Sequence, residues 1–224
     1  MEKNKKRNAI IIIATIIVCC LLMALIEIIV EPIYFVKSLM KIIVFFLLPL
    51  VIMKRLGIKL FEKQIIIDKK KIAKLFIIGI IIYFFVIFSY LIANNVLDFS
   101  IFINSLSSDQ KVSGKDFIMV ALYISLCNSL LEEFLFRYVS FIQLSKFLSK
   151  KIVYVFSSFL FAIYHISMIG SSFPLSLILI MIIGLCIGGF IFNYVDEKDK
   201  NIYNSWIIHM FADFAIMTIW FINI

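Results

Sequence analysis

The stretch FIMVALYISLCNSLLEEFLFR, residues 117–137, decides the fold, because a long apolar run ends in three charged groups, Glu132, Glu133 and Arg137. A run of about 20 apolar residues is the length that crosses the hydrocarbon of a bilayer as an α-helix. The rest of the chain repeats the pattern, with further apolar runs near 9–30, 36–53, 75–95, 152–168, 173–194 and 202–222. Hydrophobic residues make up 63% of the 224 and charged residues only 16%, a balance far more apolar than a soluble domain's. These runs predict an all-α, polytopic membrane helical bundle of about seven transmembrane helices, forming one membrane domain over residues 1–224.

The net charge of +8 comes mostly from lysines set between apolar runs, where they fix topology and meet anionic headgroups rather than nucleic acid. Seventeen Lys and Arg residues lie in the N-terminal tail, 54–74, 146–151 and 198–200, against Lys37, Lys41, Lys111 and Lys115 on the opposite side. That asymmetry predicts a cytoplasmic N-terminus and an external C-terminus. The mixed apolar and basic segment GIKLFEKQIIIDKKKIAK, residues 57–74, suits the anionic inner leaflet. The opening MEKNKKR resembles a secretory leader, but its apolar run continues to Val30 without a small-residue cleavage pattern, so a retained first span is expected. Cys19, Cys20, Cys127 and Cys186 all fall in apolar runs and read as small buried packing residues. Gly184 and Gly188 have the spacing that lets helices approach closely, and packing within the fold is the expected use. Pro49 reads as a kink and Pro174 as a helix start. The abundance of Lys, Ile, Asn and Phe suits AT-rich codons and points to a low-GC bacterium, hence a bacterial plasma membrane.

Charge inside an apolar helix needs a partner or a use. At 100° per residue Ser125, Ser129, Glu133 and Arg137 share one stripe, and Asn128 with Glu132 forms its neighbour. Glu133 and Arg137 can pair, whereas Glu132 must find its partner on another helix or sit at the inner membrane edge, reaching water. The chain has two histidines, His165 and His209, both in apolar runs. His165 shares a face with Phe161 and Ser158; Ser205, His209 and Asp213 repeat the i,i+4 spacing on the last run. Measured at about 1.5 Å per residue from the expected cytoplasmic ends, His165 lies about 20 Å deep, His209 and Asp213 about 10–17 Å, and Glu132 about 8 Å. A shared site therefore requires the fourth helix to continue inward through YVSFIQLSKFL, residues 138–148.

The motifs E-E-x-x-x-R at Glu132, Glu133 and Arg137, F-x-x-x-H at Phe161 and His165, and H-x-x-x-D at His209 and Asp213 stand in that order on three candidate helices. Together they resemble the CAAX prenyl protease and bacteriocin-processing family (CPBP, or Abi) of intramembrane proteases. The resemblance covers about 128–213, with 1–116 as accessory transmembrane helices. Tyr138 stands where many relatives have glycine, and Asp213 where the eukaryotic enzymes have asparagine.

The resemblance implies peptide hydrolysis with Glu132 as base, His165 beside it, and Asn128, Phe161, Glu133 and Arg137 in support. His209 and Asp213 either stabilise the oxyanion or join Glu132 and His165 in holding a divalent metal such as zinc. An ionised Asp213 is a poor oxyanion donor, which favours the metal or an Asp213 kept protonated by its surroundings. The implied partners are the lipid bilayer and a peptide or membrane-protein substrate: a secreted peptide precursor, bacteriocin leader or signalling peptide rather than a prenylated protein. Two other classes fit the same residues: a proton or divalent-ion transporter, which an inverted repeat would favour, and a catalytically silent scaffold or immunity protein.

Overall fold

A backbone in hydrocarbon has no water to bond, so helices are the economical way to satisfy its N–H and C=O groups. The computed structural model describes residues 2–30, 34–60, 69–94, 117–169 and 175–223, and among them it contains seven long helices and no strand. These are α1 Glu2–Val30, α2 Phe35–Arg55, α3 Lys69–Ala93, α4 Phe117–Lys146, α5 Lys150–Ile169, α6 Leu175–Glu197 and α7 Tyr203–Ile222. All but α5 meet the length and composition needed to cross a membrane over their described residues. At 20 residues α5 is about 30 Å long, also a bilayer's thickness. The chain is a multi-pass membrane protein.

Local chemistry shapes the helices. In α2 the Leu48 N–H bonds back to Ile43 C=O, five residues earlier, and Ile42–Leu47 winds as a π-helix immediately before Pro49. Proline has no N–H and its ring crowds the carbonyl four residues back, so a widened turn before it is the expected accommodation. Gly57, at φ 68°, ends α2 by letting the Ile58 N–H return to Met53 C=O at 3.0 Å. The fourth helix also holds π-wound turns, Tyr123–Asn128 and Phe134–Gln143, on either side of its acidic pair.

The core joins both halves of the chain. Ile12, Ile16, Cys19 and Met23 of α1 pack with Phe45 of α2, Leu135 and Phe136 of α4, Phe161 of α5 and Ile208 of α7. On the other side α3 lies against α7, with the Phe211 ring on Gly79 and Tyr83 hydroxyl bonded to Thr218 Oγ1 at 2.9 Å.

Several expectations change. The fourth helix continues nine residues past Arg137 to Lys146, so Glu132 stands 14 residues, or about 21 Å, from its C-terminal end. The water-edge reading of Glu132 falls, since its side chain is buried. Cys19 and Cys20 are buried, but Cys127 is exposed and Cys186 half-exposed; only half the cysteines serve as buried packing. A Cβ at Gly184 or Gly188 would meet no described atom within 4 Å, whereas one at Gly189 would stand 2.9 Å from Ser158 Cα. Close packing of α6 on α5 therefore uses Gly189, and the expectation for the other two glycines fails. Lys41 is buried within α2 and leaves the tally of outer-face lysines. Lys111, Lys115 and Pro174, with residues 61–68, lie outside the described residues.

Candidate active site

Each motif residue is delivered by a helix fixed to its neighbours by polar contacts. Trp206 on α7 donates its indole N–H to Ser129 Oγ at 3.1 Å and Leu126 C=O at 3.0 Å, which ties α7 to α4. One residue earlier, Ser205 donates its backbone N–H and its hydroxyl to Asp196 of α6, at 2.9 and 2.6 Å. Asp196 thereby satisfies a free amide in the first turn of α7. His209 follows one turn later and is fixed in depth by both anchors. On α5, Ser157 donates to Phe136 C=O at 2.7 Å, and Ser158 accepts from Asn193 at 3.1 Å, which locks α5 between α4 and α6.

These anchors bring the three motifs to one place. Glu132 Oε2 lies 3.4 Å from His165 Nε2 and 3.8 Å from His209 Nε2, and Asp213 Oδ1 lies 3.6 Å from that same His209 nitrogen. Glu132 Oε1 accepts from Asn128 Nδ2 at 3.0 Å and from Lys41 Nζ at 2.6 Å. Glu133 faces the other way round the helix. Its Oε1 meets His209 Nδ1 at 2.8 Å and its Oε2 lies 3.3 Å from Arg137 Nε. The Arg137 guanidinium is fully buried, with its Cζ 4.5 Å from the Phe161 ring centre and 5.2 Å from that of Phe192. Aromatic faces stabilise a cation that has no water. Phe161 in turn packs edge-on against His165, ring centres 4.5 Å apart, so it separates the arginine from the imidazole. Glu132 and His209 are buried, while the His165 and Asp213 side chains keep 18% and 14% exposure and form the accessible rim.

The imidazoles are oriented alike. His165 Nδ1 meets Phe161 C=O at 2.7 Å, and His209 Nδ1 meets Glu133. Acceptors at both Nδ1 atoms hold a proton there, so the neutral form of either ring would turn an Nε2 lone pair towards Glu132 Oε2 and the protonated form an N–H. Lone pairs converging on a carboxylate oxygen repel unless a proton donor or a cation stands between them, and a water or a divalent ion meets that need. Donors on tetrahedral zinc at 2.0–2.1 Å stand about 3.3 Å apart. The separations here are slightly wider, and among the described residues no three His, Cys, Asp or Glu side chains already form a metal cage. The donor set thus fits zinc in chemistry and orientation without being closed around it.

All eight residues singled out from the sequence, Asn128, Glu132, Glu133, Arg137, Phe161, His165, His209 and Asp213, come together. Three contributors were missed. Lys41 lay inside the apolar run 36–53 with Phe45 one turn on, a signal of a buried lysine that the topology count obscured. Asp196 and Asn193 lie in α6, where the glycines drew attention and the polar pair at i,i+3 was the available sign.

No curated protein and no solved structure matches the chain. Residues 114–215, which contain every motif residue but not Lys41, match the family model described as type II CAAX prenyl endopeptidase, Rce1-like.

Proposed function

We propose that the protein is an intramembrane endopeptidase in which Glu132 activates a water to cleave a peptide bond. The observation that carries this reading is the convergence of Glu132 Oε2 with the Nε2 atoms of His165 and His209 on the accessible side of a buried carboxylate. A water between Glu132 and His165 transfers a proton to Oε2 as its oxygen attacks the scissile carbonyl carbon. The C–N bond then breaks as the proton passes to the leaving amine. His209, held at Nδ1 by Glu133, donates from Nε2 to the developing oxyanion in its imidazolium form, and Asp213 on the rim orients that N–H. Where a divalent ion is bound, His165, His209, Glu132 and Asp213 would hold it, and it would supply Lewis-acid polarisation of the carbonyl or the water.

The proposed setting is a bacterial plasma membrane with the N-terminus cytoplasmic, and residues 1–116 form one membrane domain with the catalytic helices. The proposed substrate is a membrane-associated peptide, such as a secreted precursor, with peptide maturation or bacteriocin self-immunity as the cellular use.

The test is cleavage, in detergent micelles, of an internally quenched prenylated CAAX peptide and of a degenerate unprenylated quenched library. Glu132→Gln keeps the volume and leaves an acceptor for Lys41, so the variant is expected to retain its helix content. Its cleavage should fall by about 100-fold or more, the usual scale for a lost general base. Full activity in Glu132→Gln sinks the base assignment. No cleavage of either probe by the parent protein sinks the peptidase reading in favour of a silent scaffold.

A further inference from the structure

We propose that Lys41, which comes from the half of the chain outside the matched segment, is a positioning residue for Glu132; the inference rests on Glu132 being the base. Lys41 is 97% buried, and its ammonium makes a 2.6 Å ion pair with Glu132 Oε1. Two rings flank the ammonium: its Nζ lies 5.3 Å from the centre of Phe45 and 5.2 Å from that of Tyr164. Tyr164 donates to Glu27 Oε1 at 3.5 Å, and Lys37 pairs with the same oxygen at 3.8 Å, so the ring beside Lys41 is itself tied to α1 and to the preceding turn of α2.

The consequence is a carboxylate with two unlike oxygens. Lys41 and Asn128 occupy Oε1, and Oε2 is left to the imidazoles. Tyr164 and His165 are consecutive on α5, so one helix turn holds the lysine with the first and faces Oε2 with the second. Turning the Glu132 carboxylate out of this setting would break the ion pair, and the pair therefore fixes the direction in which the remaining oxygen meets the reacting water. A buried cation that costs this much to desolvate is retained when it has such a task.

A clamp of this kind acts on the chemical step and not on substrate binding. With whichever of the two quenched probes the parent protein cleaves, Lys41→Met is expected to lower kcat by about 10- to 100-fold, the scale of a misplaced catalytic group, with KM within about twofold of the parent's. Lys41→Arg keeps a cation and should regain most of that loss. An unchanged kcat in folded Lys41→Met, a raised KM with kcat intact, or an equal loss in both variants overturns the proposal. Should Lys41→Met not fold, Lys41→Met/Glu132→Gln removes both charges. Recovered folding in the double variant supports the pairing, and no recovery overturns it. Activity surviving in Glu132→Gln alone defeats the base assignment itself; an inactive Glu132→Gln with an unaffected Lys41→Met defeats only the clamp.

Discussion

Two sets of ion pairs in this molecule join a basic side chain to a carboxylate under opposite conditions. In the middle of the bundle Glu133 pairs with Arg137 at zero exposure for both side chains. Where α5 and α6 meet the turn before α7, Lys150 pairs with Glu197 and Lys71 with Asp199, all partly or largely exposed. A solvated pair exchanges water contacts for a weak attraction and contributes little, while a buried pair has no water to fall back on. The end pairs are therefore incidental to the fold, and the central pair is a commitment on which the burial of Glu133 and Arg137 depends.

The largest expected effect comes from breaking the central pair from one side. Arg137→Ala leaves Glu133 as a buried carboxylate with His209 as its remaining partner among the described residues and removes the cation stacked on Phe161 and Phe192. The expected cost is about 3–5 kcal/mol, read as lost folded yield or a lower thermal midpoint in detergent. Arg137→Met with Glu133→Gln, which removes both charges, should recover much of it. A folded Arg137→Ala of parental stability would erase the distinction between the two regions.

Asp213 lies between these extremes, since its side chain is partly exposed and its Oδ2 has no hydrogen-bond partner among the described residues. Asp213→Asn should change stability little. As a zinc ligand Asp213 supplies charge, so the substitution is expected to lower cleavage by about tenfold, with partial recovery on adding zinc and with the parent inactivated by a chelator. Parent enzyme that is active and metal-free by elemental analysis ends the metal version; Asp213→Asn activity equal to or above the parent's then assigns the position to the oxyanion side.

How much of this was legible follows from which interactions are local in sequence. The stripes on α4 and α7 could be read because i,i+4 neighbours on one helix are neighbours in space. Glu133 meeting Arg137, and His209 meeting Asp213, needed no tertiary knowledge. That Glu132 required a partner from another helix was also readable, but its identity was not, because Lys41 is 91 positions away and a lysine near a span end looks the same whether it turns out to headgroups or in to a carboxylate. The C-terminal end of α4 was misplaced for a related reason: Arg137 resembles a span terminus when its buried aromatic surroundings are unknown. Gly189 was passed over beside the more conspicuous G-x-x-x-G spacing, since spacing identifies a face and not what the face touches.

The smallest effect is expected at the exposed end. Lys150→Ala removes the partner of Glu197, yet Glu197 keeps the Tyr154 hydroxyl at 2.8 Å and remains in reach of water. With Lys150 mostly exposed, the pair's attraction is offset by the ordering of a long side chain and screened by salt over about 8–10 Å. The substitution should therefore shift stability by no more than about 1 kcal/mol and leave cleavage unchanged, and even that shift should shrink when thermal unfolding is repeated at about 1 M salt, where screening acts over about 3 Å. The buried Glu133–Arg137 pair, shielded from the same ions, should give an Arg137→Ala loss that hardly changes with salt. If both losses respond equally to salt, water reaches the central pair, and burial is not what separates the two regions.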